Sequence, residues 1–255
     1  MKRPVALITG GTSGIGFDTA KKLAATHDLF LVYRDRHSDA EKALAQFPKE
    51  ARVEIFSADL QLSESAKRIA DEALKRFEEP VTVLVNSAGL SQPNLFLEQP
   101  FDYIDTQVVL NLTSVMKLTQ LILPGMYRRK YGRIVSVSSY ASGSHVRGHL
   151  LYSVAKAGIE EFTRKLALEV YHRGITVNAV KPHFTRTRMI EESFSDYKDL
   201  LERLPEVLIP VEDVSALILH FLGPHGKYIS GSIFEIGTDA FDVTISKLKR
   251  EHLHK

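Results

Sequence analysis

Apolar residues along this chain fall into two rhythms. Short runs, Val5 to Thr9, Leu29 to Tyr33, Arg52 to Ser57, Val81 to Val85, Ile134 to Val137, Ile175 to Val180 and Ile233 to Ile236, have the length of strands. Most are apolar at consecutive positions, so both faces of each strand are expected to be covered. Between them lie stretches with helical spacing: Thr19 to Ala25, Ala40 to Phe47, Leu62 to Phe77 with Ser63 as its expected N-cap, Tyr103 to Arg129, the segment from Tyr152 to about His172, and Val211 to Leu222. Strand and helix alternate from end to end. That alternation predicts an α/β fold, a doubly wound parallel sheet of about seven strands with helices on both faces. No linker, repeat or low-complexity tract sets off a second domain, so one domain is expected over residues 1–242, with 243–255 as a C-terminal extension. Residues 187–210 have weak periodicity, many charges and two prolines, Pro205 and Pro210, which suits a segment closing over a site.

Composition narrows the picture by exclusion. A chain of 255 residues, 44% hydrophobic and 25% charged, suits one large soluble α/β domain. A formal net charge of +2 gives no basic excess for nucleic acid. With no Cys there are no disulfides, thiolate metal sites or cysteine nucleophiles. No His spacing suits a metal, and His252 and His254 fall in the basic C-terminus, so no metal is expected. No apolar run approaches the ~18 residues of a bilayer span, and Met1-Lys2-Arg3-Pro4 leads into a strand rather than a signal core. The expectation is a cytoplasmic protein with no membrane contact.

The first strand ends in Gly10-Gly11-Thr12-Ser13-Gly14-Ile15-Gly16 and runs into a helix. Strand, glycine loop and helix N-terminus form a receptor for a pyrophosphate, because loop amides and the first-turn N–H groups have no partners of their own. The spacing is Gly-x-x-x-Gly-x-Gly, and no Gly-Lys-Ser/Thr of a phosphate-binding Walker loop follows. At the end of the second strand Arg34 is the first polar residue, with Asp35 and Arg36 behind it. An Arg there suits a 2′-phosphate and a carboxylate suits a 2′-hydroxyl, so NADP is favoured over NAD, with Asp35 left as the alternative. Asn86-Ser87-Ala88-Gly89 closes the fourth strand with residues small enough to admit a ligand to the backbone. Asn111 sits within a helical stretch, where a buried amide needs a task such as capping a kink or holding water.

The chemistry centres on residues 134–156. Ser138 and Ser139 lie at a strand end, and Tyr152 and Lys156, four apart, share a helix face. A free phenol titrates near pH ~10, and a fixed positive charge about one turn away, the Lys156 ammonium, is expected to pull that value down and make the pair a usable acid and base. Ser139 is placed to hydrogen-bond the oxygen of a carbonyl or alcohol. Lys181-Pro182-His183-Phe184-Thr185 leaves the sixth strand where a nicotinamide would lie.

Taken together, Thr9 to Gly16, Asp59-Leu60, Asn86 to Gly89 and the set Asn111, Ser139, Tyr152, Lys156 resemble the short-chain dehydrogenase/reductase family, from about Val5 to Thr238. The resemblance implies a Rossmann fold and the cofactor NADP or NAD, bound by Gly10, Thr12, Ser13, Gly14, Ile15, Gly16, Arg34, Asp59, Leu60, Asn86, Ala88, Gly89, Tyr152, Lys156, Pro182 and Thr185. It also implies a catalytic tetrad. Tyr152 would give a proton to a small-molecule carbonyl as hydride arrives, Lys156 would lower the tyrosine pKa and hold the nicotinamide ribose, Ser139 would steady the substrate oxygen, and Asn111 would hold a water linking Lys156 to solvent. Two departures stand out: Pro182-His183 where the family has Pro-Gly, and Glu235-Ile236-Gly237-Thr238 where it has Asp-Gly-Gly. The chain is most similar to 3-oxoacyl-[acyl-carrier-protein] reductases. That implies a homo-oligomer, a place in fatty acid metabolism, and an acyl carrier protein as partner through Lys130 and Arg173.

Overall fold

The computed structural model describes residues 2–35, 37–144, 147–193 and 208–237. Seven strands, β1 Val5–Thr9, β2 Asp28–Tyr33, β3 Val53–Ser57, β4 Val81–Asn86, β5 Gly132–Val137, β6 Ile175–Pro182 and β7 Ile233–Ile236, form one parallel sheet in the order β3-β2-β1-β4-β5-β6-β7. The helices are α1 Gly14–Leu23, α2 His37–Leu44, α3 Ser65–Phe77, α4 Phe101–Val108, α5 Ser114–Arg129, α6 Leu150–Val170, α7 Arg188–Ser193 and α8 Val211–Leu222. Much of the segment expected to close over a site (194–207), together with Arg36, Thr238 and the expected extension 243–255, lies outside the described residues.

The consecutive apolar positions explain the two layers. In β1, Val5 and Leu7 face a core built with α3, α5 and α6, through Ile69, Phe77, Leu118, Met126 and Val170. Ala6 and Ile8 face the opposite core, with Ala20 and Leu23 of α1 and Val214, Ile218 and Phe221 of α8. Alternate residues of one strand thus serve two cores, and a polar residue at either phase would sit in one of them. The chain crosses from the β3 edge to β4 beside β1, so the loops after β1 and β4 part in opposite directions. The crevice at such a switch point is where open α/β sheets take ligands.

Three local expectations change. Ser63 does not cap α3: Glu64 is the residue before its first turn, no side chain caps it, and the Ser63 hydroxyl donates to the Glu64 carboxylate at 3.1 Å. The stretch from Tyr103 to Arg129 is helical but not uniform, since a π-helical turn, Val109–Thr113, joins α4 to α5. Finally, Phe101–Arg129 is long and apolar enough to cross a bilayer by length and composition, which counting consecutive apolar residues had missed. Its apolar residues Leu118, Ile122 and Met126 are buried against the sheet, the placement of a core helix.

Candidate active site

The glycine loop and the Asn86–Gly89 segment meet at the switch point because nothing larger fits. Gly10 and Gly14 have φ of +65° and +52°, in the left-handed region that favours glycine. A Cβ on Gly10 would lie 3.1 Å from the Ala88 nitrogen, and one on Gly16 2.4 Å from the Gly10 carbonyl oxygen. The Thr9 hydroxyl fastens the two loops together by accepting from the Ser87 and Ala88 N–H groups at 3.1 and 3.2 Å. Ser13 stands extended before α1 and makes no side-chain cap, so the first-turn N–H groups of that helix keep their capacity for an anion. Among the described residues Oδ1 of Asn86 is buried with no hydrogen-bond partner, while its Nδ2 donates to Ser136 at 3.2 Å. A bare backbone cradle, an uncapped helix start and an orphaned acceptor fit a dinucleotide.

The remaining cofactor candidates line the same edge. Asp59 accepts from the Gln61 N–H at 2.9 Å and Leu60 is buried beside it. Arg34 is exposed and pairs through Nε with Asp35 at 3.0 Å, so the two groups expected to compete for the ribose are bound to each other. Pro182 and Thr185 are buried, with the Thr185 hydroxyl donating to the His183 carbonyl at 3.0 Å. Thr187 had been passed over. Its methyl lies 3.4 Å from where a Cβ on Gly14 would stand, which sets it at the mouth of the glycine loop.

The four tetrad candidates come together. Ser139 hydrogen-bonds the Tyr152 phenol, and the Lys156 ammonium lies 5.5 Å from the Tyr152 ring centre. Asn111 Oδ1 and Lys156 Nζ lie 2.9 and 3.5 Å from the position of a Cβ on Gly89, so a side chain at 89 would collide between them. Asn111 clasps the backbone of Leu90 from both sides, accepting from its N–H at 3.1 Å and donating to its carbonyl at 2.9 Å. Its amide also donates to the Gln107 carbonyl and side chain, both at 3.1 Å. The amide therefore caps the π-helical kink on which it sits.

Helix α6 grips the end of β5 along one face. Lys156 donates to the Val137 carbonyl at 2.7 Å, and Glu160, one turn on, accepts from Ser138 at 2.8 Å and from Ser142. Glu160 had not been singled out, and its i+4 spacing from Lys156 was the available signal. One electrostatic expectation is overturned. Burial pushes Tyr152 up to about 12, offset in part by its bond with Ser139, and burial pushes Lys156 down to about 8. The ammonium is directed to the Val137 carbonyl and does not draw the phenol down. At neutral pH the site therefore holds a protonated phenol beside a charged lysine, a proton donor rather than a base.

The backbone segments that carry Lys130 and Arg173 lie side by side, away from this cluster. A Cβ on Gly174 would lie 2.6 Å from the Lys130 carbonyl oxygen, and the Arg173 guanidinium covers the Tyr127 ring at 4.0 Å. Lys130 precedes β5 and Arg173 precedes β6, the strand beside it, whereas Ser139 follows β5. A six-residue strand, about 20 Å long, separates them from the tetrad end of the sheet.

A family model described as short chain dehydrogenase matches residues 4–198. The chain is 32% identical over 236 residues to a 3-oxoacyl-[acyl-carrier-protein] reductase of Synechocystis, covering 91% of this chain and 94% of that one. It is 29% identical over 245 residues to an acetoacetyl-CoA reductase of Allochromatium vinosum, covering 93% and 98%. Among solved structures, levodione reductase superposes with a TM-score of 0.84 at 23% identity over 94% of this chain and 98% of that one, which speaks for the fold. The glycine cradle, the switch point and the match over most of the chain lead to one conclusion: this protein is an oxidoreductase of the short-chain dehydrogenase family, whose members use NAD(P).

Proposed function

We propose that this protein reduces a ketone to a secondary alcohol with NADPH, and that 3-oxoacyl thioesters are its substrate class. The observation that carries the reading is the Tyr152 phenol, hydrogen-bonded to Ser139 with the Lys156 ammonium beside its ring, an arrangement able to give a proton to a carbonyl oxygen. When bound in the glycine cradle, the cofactor supplies the hydride. Tyr152 passes its proton to the carbonyl oxygen, Ser139 steadies that oxygen, and Lys156 would hold the nicotinamide ribose. Asn111 Oδ1 and Lys156 Nζ both border Gly89, and in this reading a water held by Asn111 links Lys156 to solvent. Substrate class is supported by the names of the relatives, two of which reduce oxoacyl groups on a carrier protein or on coenzyme A.

NADPH is the preferred cofactor in this reading because Arg34 ends β2 with an exposed guanidinium. A bidentate contact to a 2′-phosphate contributes roughly 1.5 to 3 kcal/mol, about one to two decades in affinity. The competing reading, an NAD-linked dehydrogenase of a small alcohol or sugar, draws on Asp35, whose carboxylate shares the same strand end. Titrating both reduced cofactors separates them, and equal or reversed affinities would place Asp35 at the ribose. A catalytically silent nucleotide binder would show cofactor binding with no turnover on any carbonyl. Screening NADPH oxidation against ketones, acetoacetyl-CoA and carrier-bound oxoacyl thioesters tests the whole proposal.

Lys130 and Arg173 do not flank the tetrad end of the sheet, so carrier-protein docking through them requires the acyl arm to span about 20 Å, and it has a separate test. Reversing both charges raises KM for the carrier-bound substrate and leaves a small thioester unaffected, and the contrast fades as salt screens it. A like response from both substrates removes the carrier from the account. Homo-oligomer formation and a cytoplasmic location complete the reading, the first supported by exposed Leu168 and Tyr228 near the β7 edge.

A further inference from the structure

Strand β6 ends in Lys181 and Pro182, with His183 directly after it, and the side chains of Lys181 and His183 turn to the same neighbour. Lys181 and His183 both reach Glu235 of β7, the register partner of Lys181. Lys181 Nζ lies 3.2 Å from Oε2 of that carboxylate, and His183 Nε2 lies 2.7 Å from Oε1. A carboxylate only accepts, so Nε2 carries the imidazole proton and donates it. The His183 side chain is 4% exposed, and a Cβ on Gly237 would lie 2.6 Å from its Cβ, so the ring has little room to turn.

Both basic side chains also touch the turn that follows Ser139. The His183 ring stacks on Tyr140 with centroids 3.9 Å apart and planes at 27°. Lys181 Nζ lies 3.1 Å from the position of a Cβ on Gly143. This turn sets the Ser139 hydroxyl: its Oγ accepts from the Ala141 N–H at 3.2 Å, and its carbonyl accepts from the Ser142 N–H at 2.9 Å. In Tyr140-Ala141-Ser142-Gly143 only Tyr140 has a large side chain, so its ring is the part of the turn on which a stacked neighbour has leverage. Position 183 is also where the chain departs from the Pro-Gly pattern, and a glycine has no ring to offer.

We propose that His183, held by Glu235, is a positioning residue that fixes, through Tyr140, the turn presenting Ser139 to Tyr152. It rests on the functional reading of Ser139 and Tyr152 given above. The test compares wild type with His183→Gly, His183→Phe, Tyr140→Leu and the double variant His183→Gly/Tyr140→Leu. Three quantities are measured: kcat and KM for ketone reduction, NADPH affinity, and hydrogen exchange of the amides of residues 139–143.

His183→Gly is expected to lower kcat about ten- to a hundredfold, the scale of a misplaced reacting group, with NADPH affinity within about twofold of wild type. Exchange at Ala141, Ser142 and Gly143 speeds up. His183→Phe keeps a ring to stack and recovers most of the lost kcat. The double variant is no slower than the worse single, because both break the same contact. Unchanged kcat with unchanged exchange, or losses that multiply in the double variant, overturns the proposal. If His183→Gly does not fold, His183→Phe and Tyr140→Leu carry the same comparison. Exchange needs no turnover, so an enzyme inactive on every ketone sinks the functional reading while the turn is still judged on its own.

Discussion

Tyr152 and Lys156 show how far spacing alone reaches. Their separation of four placed them on one face of α6, and Ser139 was found from its place at a strand end. Spacing carries no information on desolvation, so the expected drop in the phenol pKa did not survive: burial pushes Tyr152 up to about 12 and Lys156 down to about 8. Ketone reduction is therefore expected to fall as pH rises through about 8, where the ammonium is lost, and a rate profile from pH 6 to pH 10 checks this. Between about 8 and the ordinary lysine value of 10.5 the unfolded chain binds the extra proton, so wild-type stability rises with pH through that window. The shift corresponds to about 3 kcal/mol of buried-charge cost below pH ~8. Lys156→Met is then expected to abolish activity yet resist urea better than wild type at pH 7, an advantage that shrinks toward pH 10. A variant that is both inactive and less stable at pH 7 contradicts this account. Contacts such as His183 with Glu235, 52 positions apart, and Tyr140 with His183 had no local signature to read.

Among the elements, the helical stretch expected over Tyr103 to Arg129 begins two residues earlier, at Phe101, and differs in form. A buried Asn in a helix signalled a special task, and capping a kink was one of the two tasks foreseen for Asn111. The π-helical turn itself is not spelled in the residues, since it depends on Leu90 offering both its N–H and its carbonyl to one amide. Asn111→Leu strands both of these backbone groups and frees Gln107, and each unsatisfied buried group costs about 1–3 kcal/mol. The expected result is a urea midpoint lowered by the equivalent of about 3 kcal/mol or more, together with lost activity. A midpoint within error of wild type means the kink is held by packing instead. The Ser63 cap failed for a related reason: a Ser beside a Glu satisfied its hydroxyl locally, and propensity at a helix start is easily overridden by such a neighbour.

At the scale of the whole molecule, alternation of apolar runs and helical periods was enough to predict a parallel, doubly wound sheet, and consecutive apolar positions predicted that both faces would be covered. Strand order was not legible, because which strand neighbours which depends on where the chain crosses the sheet. The closure of α1 on α8 was equally hidden: Asp18 accepts from Ser215 at 2.5 Å, across nearly two hundred residues of sequence, and also pairs with Lys22, one turn along α1, at 2.9 Å. Burial alone would raise the Asp18 carboxyl, but the bonds from Ser215 and Lys22 outweigh it and hold the group below its ordinary 3.8. Its contribution to stability is present above that value and is lost as pH falls through the lowered one. Asp18→Asn should therefore lower the urea midpoint at pH 7 and cost progressively less in strong acid, and a penalty that persists unchanged there would point to packing. The central claim, that this fold carries Tyr152 as the proton donor of a carbonyl reductase, is tested most directly by single-turnover NADPH oxidation in Tyr152→Phe loaded with cofactor and an oxoacyl thioester. The account predicts cofactor affinity like wild type and a rate lower by at least about a hundredfold; an undiminished rate would contradict it.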